Sequence, residues 1–294
     1  MPGETTTGSL SQALPSIIGK ARMVREYDGV WQRTSTRAKL EKGTGANWQY
    51  FTLGQLTGQD ITESTNNTNA QTFSGTLLQS APQLAQILIK VTDRAQYQLA
   101  PAVVAAMASG AANAMKRKKD EDYLSLFSGF ATTASPGTGN PLSFGHISAA
   151  VANIQGNVTE PATSEVFAVL HRFQIYDIQN EVVSGVGTYT VPTGLTAETF
   201  RQGFQGTVAG ANIFEDGNIT INATPDANGA VHAREGVYAV QGMDLKHEER
   251  RDPAFGGGAD ESFITDEYSF VEMTSQGTQV FAQRILSDAT APTS

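Results

Sequence analysis

The stretch that most constrains this chain is 101–130, PAVVAAMASGAANAMKRKKDEDYLSLFSGF. Pro101 suits the first turn of a helix, where its missing N–H has no partner to lose. Val104, Met107, Ala111 and Met115 recur at helical spacing and make one apolar stripe. The interspersed alanines raise helix propensity and let a second backbone approach closely. The face then turns polar through Lys116, Arg117, Lys118, Lys119, Asp120, Glu121 and Asp122, giving three i,i+4 pairs: Lys116–Asp120, Arg117–Glu121 and Lys118–Asp122. Tyr123, Leu126, Phe127 and Phe130 resume the apolar pattern on a rotated face, and Gly129 with the breaker run behind it ends the helix. At the standard rise such a helix spans about 45 Å, longer than a compact domain of ordinary size needs. It is either a long core helix or a spine from which a flat, extended subunit hangs.

The rest of the chain reads as mixed elements around this one. Residues 1–45 form a basic arm. Arg22, Arg25, Arg33, Arg37, Lys39 and Lys42 stud a segment with too few apolar residues for a core, so it is expected to lie on another surface. Residues 47–53 (NWQYFTL) and 71–78 read as two strands of a long hairpin whose polar tip, 54–70, offers little to pack on its own domain. Residues 83–92 are a strand or short helix. Helices are expected at 144–154, 171–182 and 197–204, and a loop at 185–194. Strands are expected at 166–170, 207–214, 218–222 and 236–241, followed by a terminal antiparallel set at 243–249, 263–273 and 279–285 with Gly256–Gly258 as a flexible tip. The order arm, hairpin, long helix, mixed region and terminal strands is that of an α+β protein.

Composition excludes several functions. With 294 residues, 39% hydrophobic and 17% charged, the chain is globular. Its lack of cysteine rules out disulfides, thiolate catalysis and cysteine-bound zinc. No apolar run reaches membrane-spanning length, and the start lacks the basic and apolar regions of a secretion signal, so no membrane partner and no removed leader are expected. The net charge of −9 is uneven: residues 1–50 hold seven Lys/Arg against four Asp/Glu, residues 131–240 three against nine, and residues 241–294 four against ten. A basic front and an acidic back suit self-association, or a polyanion on one face.

No constellation for chemistry emerges. The four histidines lack metal-site spacing, and His247-Glu248-Glu249 sits on an alternating strand whose neighbours point apart. Glu215-Asp216-Gly217-Asn218 reads as a turn, and Asp226-Ala227-Asn228-Gly229 lacks the distal glutamate of a calcium loop. There is no phosphate loop, nucleophile elbow or dinucleotide fingerprint, and four Asn-X-Thr sequons are read as chance. No cofactor and no catalytic residue are expected.

Four stretches together carry a resemblance. They are the hairpin running into LIKVTDRAQYQLAPAVVAAMASGAANAMKRKKDEDYLSLFSGF, then FAVLHRFQIYDIQN, then TVAGANIFEDGNI, then the acidic strands around MDLKHEERRD and ESFITDEYSFVEM. In order and spacing the chain resembles the major capsid proteins of tailed bacteriophages, the Hong Kong 97-like fold. The resemblance implies an N-terminal arm (1–45), an extended loop (46–80), a peripheral domain (81–130 and 246–285), an axial domain (131–245) and a tail (286–294). It also implies homo-pentamers and homo-hexamers in an icosahedral virion shell, assembled in the host cytoplasm around double-stranded DNA bound without sequence preference. A separate scaffolding protein, a portal and a decoration protein are the further partners it suggests, the first because many relatives carry a scaffolding segment where this chain begins with its arm. An encapsulin-type compartment of the same fold and an enzyme of unknown class are the alternatives.

The expected assembly contacts are Arg22, Arg25, Arg33, Arg37, Asp60, Glu63, Lys116, Arg117, Lys118, Lys119, Arg250 and Arg251. Lys116–Lys119 and the arm arginines are expected on the inner wall or at subunit contacts. Asp60 and Glu63 on the hairpin tip are expected to meet Lys116–Lys119 or Arg250/Arg251 of a neighbour, with Leu53, Leu56, Ile61 and Phe73 supplying the apolar burial. Some relatives weld neighbours through a lysine on the extended loop. Here no lysine lies between Lys42 and Lys90, so no such crosslink is expected.

Overall fold

The computed structural model describes residue 27 and residues 29–64, 66–98, 101–184 and 206–292. The expected loop at 185–194, the expected helix at 197–204, and Arg22 and Arg25 lie outside these. Two sheets and a hairpin are held together by one helix.

The first sheet has four strands: β1 (Thr36–Lys39), β4 (Gln83–Thr92), β9 (Val237–Asp252) and β10 (Ala259–Glu272), in the order β1-β9-β10-β4. β1 runs parallel to β9, and the other neighbours are antiparallel. β9 joins what the sequence divided into two strands at Gly242. The ladder with β10 slips there, so the glycine marks a bulge inside one long strand. The turn from β9 to β10 holds Gly256, Gly257 and Gly258, all at positive φ. At Gly258 a Cβ would meet Asp93 Oδ2 at 2.3 Å, so only glycine lets the Arg251–Asp93 ion pair cross this turn.

The second sheet has five strands in the order β11-β8-β5-β7-β6: β5 (Val166–Leu170), β6 (Thr207–Val208), β7 (Ala211–Glu215), β8 (Asp226–Ala233) and β11 (Ala282–Asp288). β5 reads VFAVL and is buried at every position, as a central strand covered on both faces must be. Val166, Ala168 and Leu170 face α4 (Phe144–Gln155) and α5 (Arg172–Ser184) through Ile147, Val151, Ile154, Ile175 and Ile178. Val169 faces the other way, onto Tyr123, Phe127 and Phe130.

Several expectations are corrected. The terminal runs do not form one antiparallel set, because β11 leaves β9 and β10 and pairs with β8. The 207–214 strand is two strands reversed at Ala209-Gly210, both at positive φ. Residues 218–222 are a loop with one isolated bridge, Ile221 to Ala227, whereas 226–233 are a strand. The arm is also not free throughout: Val30, Thr34 and Ser35 are buried on their own subunit, and β1 extends its sheet.

The long helix, α3 (Pro101–Ser125), follows a short helix α2 (Asp93–Gln98) and ends in a 3-10 turn, Leu126–Gly129. Its α-helical part is therefore 25 residues and about 37 Å, shorter than the 101–130 reading. Ala111 and Met115 pack on the first sheet beside Ile264, Ile87 and Ile89. Tyr123 and Phe127, the latter in the 3-10 turn, pack on the second sheet. The rotation of the apolar face along this one helix is what lets it join the two sheets.

Candidate assembly surfaces

β2 (Trp48–Leu53) and β3 (Gly75–Ser80) pair antiparallel as a two-stranded ribbon, Trp48 opposite Ser80 and Leu53 opposite Gly75. Its base is fixed on the subunit. Trp48 stacks against Tyr238 at 5.3 Å between centroids, and the Ser80 and Ser269 hydroxyls lie 2.8 Å apart. Among the described residues no sheet backs the ribbon beyond its base. Phe51 is 59% exposed, Leu53 57%, Ile61 61% and Phe73 61%. A two-stranded ribbon is marginal alone, and bare aromatic and branched side chains on it need a second surface. A further apolar strip lies on the first sheet: on the edge strand β4, Ile87 and Ile89 face α3, while Leu84 and Leu88 alternate away from it and are exposed.

The charged residues singled out from sequence separate into two groups. Asp60 and Glu63 are exposed on the hairpin tip, and neither makes an ion pair with the described residues. Arg33 and Lys116 are exposed and likewise form no ion pair among them. Most of the others are engaged within the subunit. Arg117 pairs with Glu121 at 3.5 Å and Lys118 with Asp122 at 2.6 Å, both as the helical spacing predicts. The Arg37 guanidinium lies 5.8 Å from the Trp31 ring centroid. Lys119, 13% exposed, pairs at 2.5 Å with the fully buried Asp266. Arg250 binds Glu261 at 2.7 Å, and Arg251 binds Asp93 at 2.6 Å and Asp260 at 3.1 Å. Lys90 completes this network through Glu261 and Asp252, whose hydrogen bonds raise its ammonium above the ordinary lysine range. Lys118, Lys119, Arg250 and Arg251 are therefore already neutralised by their own chain.

The third expected helix pair, Lys116–Asp120, is replaced by something the sequence did not indicate. Asp120 is fully buried and turned toward residues 216–218. Asn218 Nδ2 donates to Asp120 Oδ2 at 2.9 Å, and the Asn218 N–H donates to Asp216 Oδ1 at 2.9 Å. One turn further along α3, the Tyr123 hydroxyl joins three elements. His232 Nδ1 lies 2.9 Å from the Ala233 carbonyl, which can only accept, so Nδ1 carries the proton and Nε2 accepts from Tyr123 at 2.7 Å. Thr34 Oγ1 lies 2.8 Å on the other side of the hydroxyl. Burial holds His232 down at about 4, hence neutral, and pushes Tyr123 up. The chain Thr34–Tyr123–His232 thus ties the arm, the long helix and β8 with uncharged groups.

His247 contacts Ser262 and lies 3.8 Å from Glu249, and His146 caps α4 through Ser143. Among the described residues no three carboxylate or imidazole groups converge on a metal-sized site, and no helix is long and apolar enough to cross a membrane.

No family model matches the sequence, and no curated protein matches it. Solved structures do match. One from Mycobacterium phage Che8 is 15% identical, covering 92% of this chain and 96% of its own, at a TM-score of 0.69. The capsid asymmetric unit of cyanophage Pam1 is 10% identical over 94% and 96% of the two chains, at 0.71. The head structure of Helicobacter pylori bacteriophage KHP40 is 8% identical over 97% and 98%, at 0.70. Identities this low speak to architecture, and they do so from one end of each chain to the other: this chain has the α+β fold of bacteriophage capsid subunits.

Proposed function

We propose that the protein is the major capsid protein of a tailed bacteriophage, which self-assembles into pentamers and hexamers of an icosahedral shell around double-stranded DNA. The observation that carries this reading is the bare apolar hairpin, borne on a subunit whose fold matches capsid subunits over nearly its whole length. Burying that ribbon and the β4 strip on neighbours would remove on the order of 1,000 Å² per contact, enough for specific association. The role is structural, and stability comes from the number of contacts.

The proposed division follows the sheets. Residues 1–45 are the arm and 46–80 the extended loop. Residues 81–130 with β9 and β10 form the peripheral domain. The axial domain is 131–236, ending where β9 begins, together with β11, which shares its sheet. Among the described charged contacts, the exposed residues Asp60, Glu63, Arg33 and Lys116 are the ones left to meet neighbours or DNA phosphates, the latter in a sequence-independent and salt-dependent way. Scaffolding, portal and decoration proteins are the partners such a shell would recruit.

Electron microscopy of the purified protein tests the reading. Closed icosahedral particles are expected, and a protein that stays monomeric at high concentration would sink it. Packaged DNA, as against a loaded enzyme, separates a virus shell from a compartment of the same fold.

A further inference from the structure

Asp120 and Asp216 meet where three parts of the chain converge: α3, the turn after β7, and the arm residues Tyr27, Gly29 and Val30. Both side chains are fully buried. Asn218 supplies one donor to each, as described above. That leaves Asp120 Oδ1 and Asp216 Oδ2 buried with no donor, on two carboxyl groups that Asn218 holds side by side. A carboxyl-to-carboxyl hydrogen bond needs a proton on one of the two, because ionised carboxylates only accept.

The arm segment closes this site. The Val30 N–H hydrogen-bonds to Asp216. A Cβ at Gly29 would come within 2.4 Å of Asp120 Oδ1, so the backbone lies directly on that oxygen. The Tyr27 ring lies over Gly217, where a Cβ would stand 2.3 Å from it.

We propose that the Asp120–Asp216 pair holds a single shared proton and acts as a latch, docking Gly29 and Val30 on the long helix while the proton is present and releasing them when it is lost. This does not depend on the assembly reading. Among the described residues no cation offsets a second negative charge here. On α3, Lys119 is engaged by Asp266, Lys118 by Asp122 and Arg117 by Glu121, and Lys116 is exposed. At the end of β7, Glu215 is engaged by Arg172. From the arm side Arg33 is exposed, and from β8 the neutral His232 reaches the pair only through Tyr123. Burial, and then the hydrogen bond and negative charge of Asp120, push the Asp216 carboxyl up to about 8. A carboxyl raised in this way favours the docked state in full only in acid, and that support is lost progressively as pH rises from the ordinary carboxylate range through about 8. Two buried charges then repel, and water reaches them only if the Gly29 backbone lifts.

Trp31 reports on the segment directly, since it packs edge-on against Phe270 at 5.5 Å. The only other tryptophan, Trp48, is removed by W48F. Trp31 emission in W48F protein should shift to the red between about pH 5 and about pH 8.5, and the shift should vanish in W48F/D216N, where an amide N–H replaces the shared proton without titrating. D120N is the second variant and should behave alike. Trypsin cleavage after Arg33, compared at the same pH of about 9, should be roughly tenfold faster with the native pair than with D216N. A flat wild-type emission profile, or an equal shift in both asparagine variants, overturns the latch. So does suppression of the red shift by calcium or magnesium chloride, which would make the pair a cation site.

Discussion

Lys116 and Lys119 belong to one basic run, yet they stand in opposite environments. Lys119 neutralises a carboxylate that has no access to water, whereas Lys116 is exposed. Lys119→Met should therefore destabilise the subunit by about 3–5 kcal/mol in urea unfolding, because Asp266 is left buried and uncompensated, while Lys116→Met should stay within about 0.5 kcal/mol. Titration at buried groups has signs that can be separated. Burial raises the Glu272 carboxyl to about 7, so its contribution is present in acid and lost as pH rises from the ordinary carboxylate range through about 7. His232 has the opposite sign: held at about 4, it contributes stability above the ordinary histidine value that is lost as pH falls toward about 4. Glu272→Gln keeps an acceptor for the Gln279 amide, which donates at 2.9 Å, and removes the charge. It should stabilise the subunit by about 2 kcal/mol near pH 8, with the gain closing near pH 4, read from urea midpoints across that range.

At the level of elements, the hairpin and the arm make contrasting contributions to the subunit. Leu53 and Phe73 are exposed, so Leu53→Asp or Phe73→Asp should change subunit stability by no more than about 0.5 kcal/mol while preventing particles from forming, seen by light scattering and microscopy. The arm behaves otherwise because part of it is core. Deleting residues 1–40 removes buried Val30, the Thr34 contact to Tyr123 and the β1 ladder. That deletion should cost about 3 kcal/mol or more of subunit stability in addition to any effect on assembly, and an unfolding curve that matches the full chain would contradict it. Elements with a short local signature were legible: VFAVL reads as an apolar strand, and PAVVAAMASG as a long helix. β8 was not, because Asp226-Ala227-Asn228-Gly229 resembles part of a calcium loop more than a strand. In the fold Asp226 accepts from the Gly139 N–H at 2.8 Å, and Asn228 accepts from Arg284 Nε at 2.7 Å. Those partners lie far off in sequence, so no local pattern could reveal them. β1 was hidden likewise, since TRAK has no apolar alternation and is a strand only because β9 lies beside it.

For the whole molecule, the lysine-free stretch 43–89 covers the hairpin, and Lys90 at its base is engaged by Glu261 and Asp252. Boiled particles should run on a denaturing gel as one band near 31.2 kDa, and a ladder of multimers would show a covalent weld that this arrangement does not provide. Both sheets meet on α3, so the subunit is one body built from distant parts of the chain. The sequence by itself determined the helix, the hairpin, the central strand and the absence of thiol chemistry, because each depends on side-chain type and spacing within a short window. Which sheet β11 joins, the turning of Asp120 away from Lys116 toward Asp216, and the neutralisation of Arg250 and Arg251 at home all arise with the closed fold. Those outcomes depend on burial and on partners brought together from far apart in the chain, and the cost of an unpaired buried charge, which selects among them, does not exist until the fold has closed.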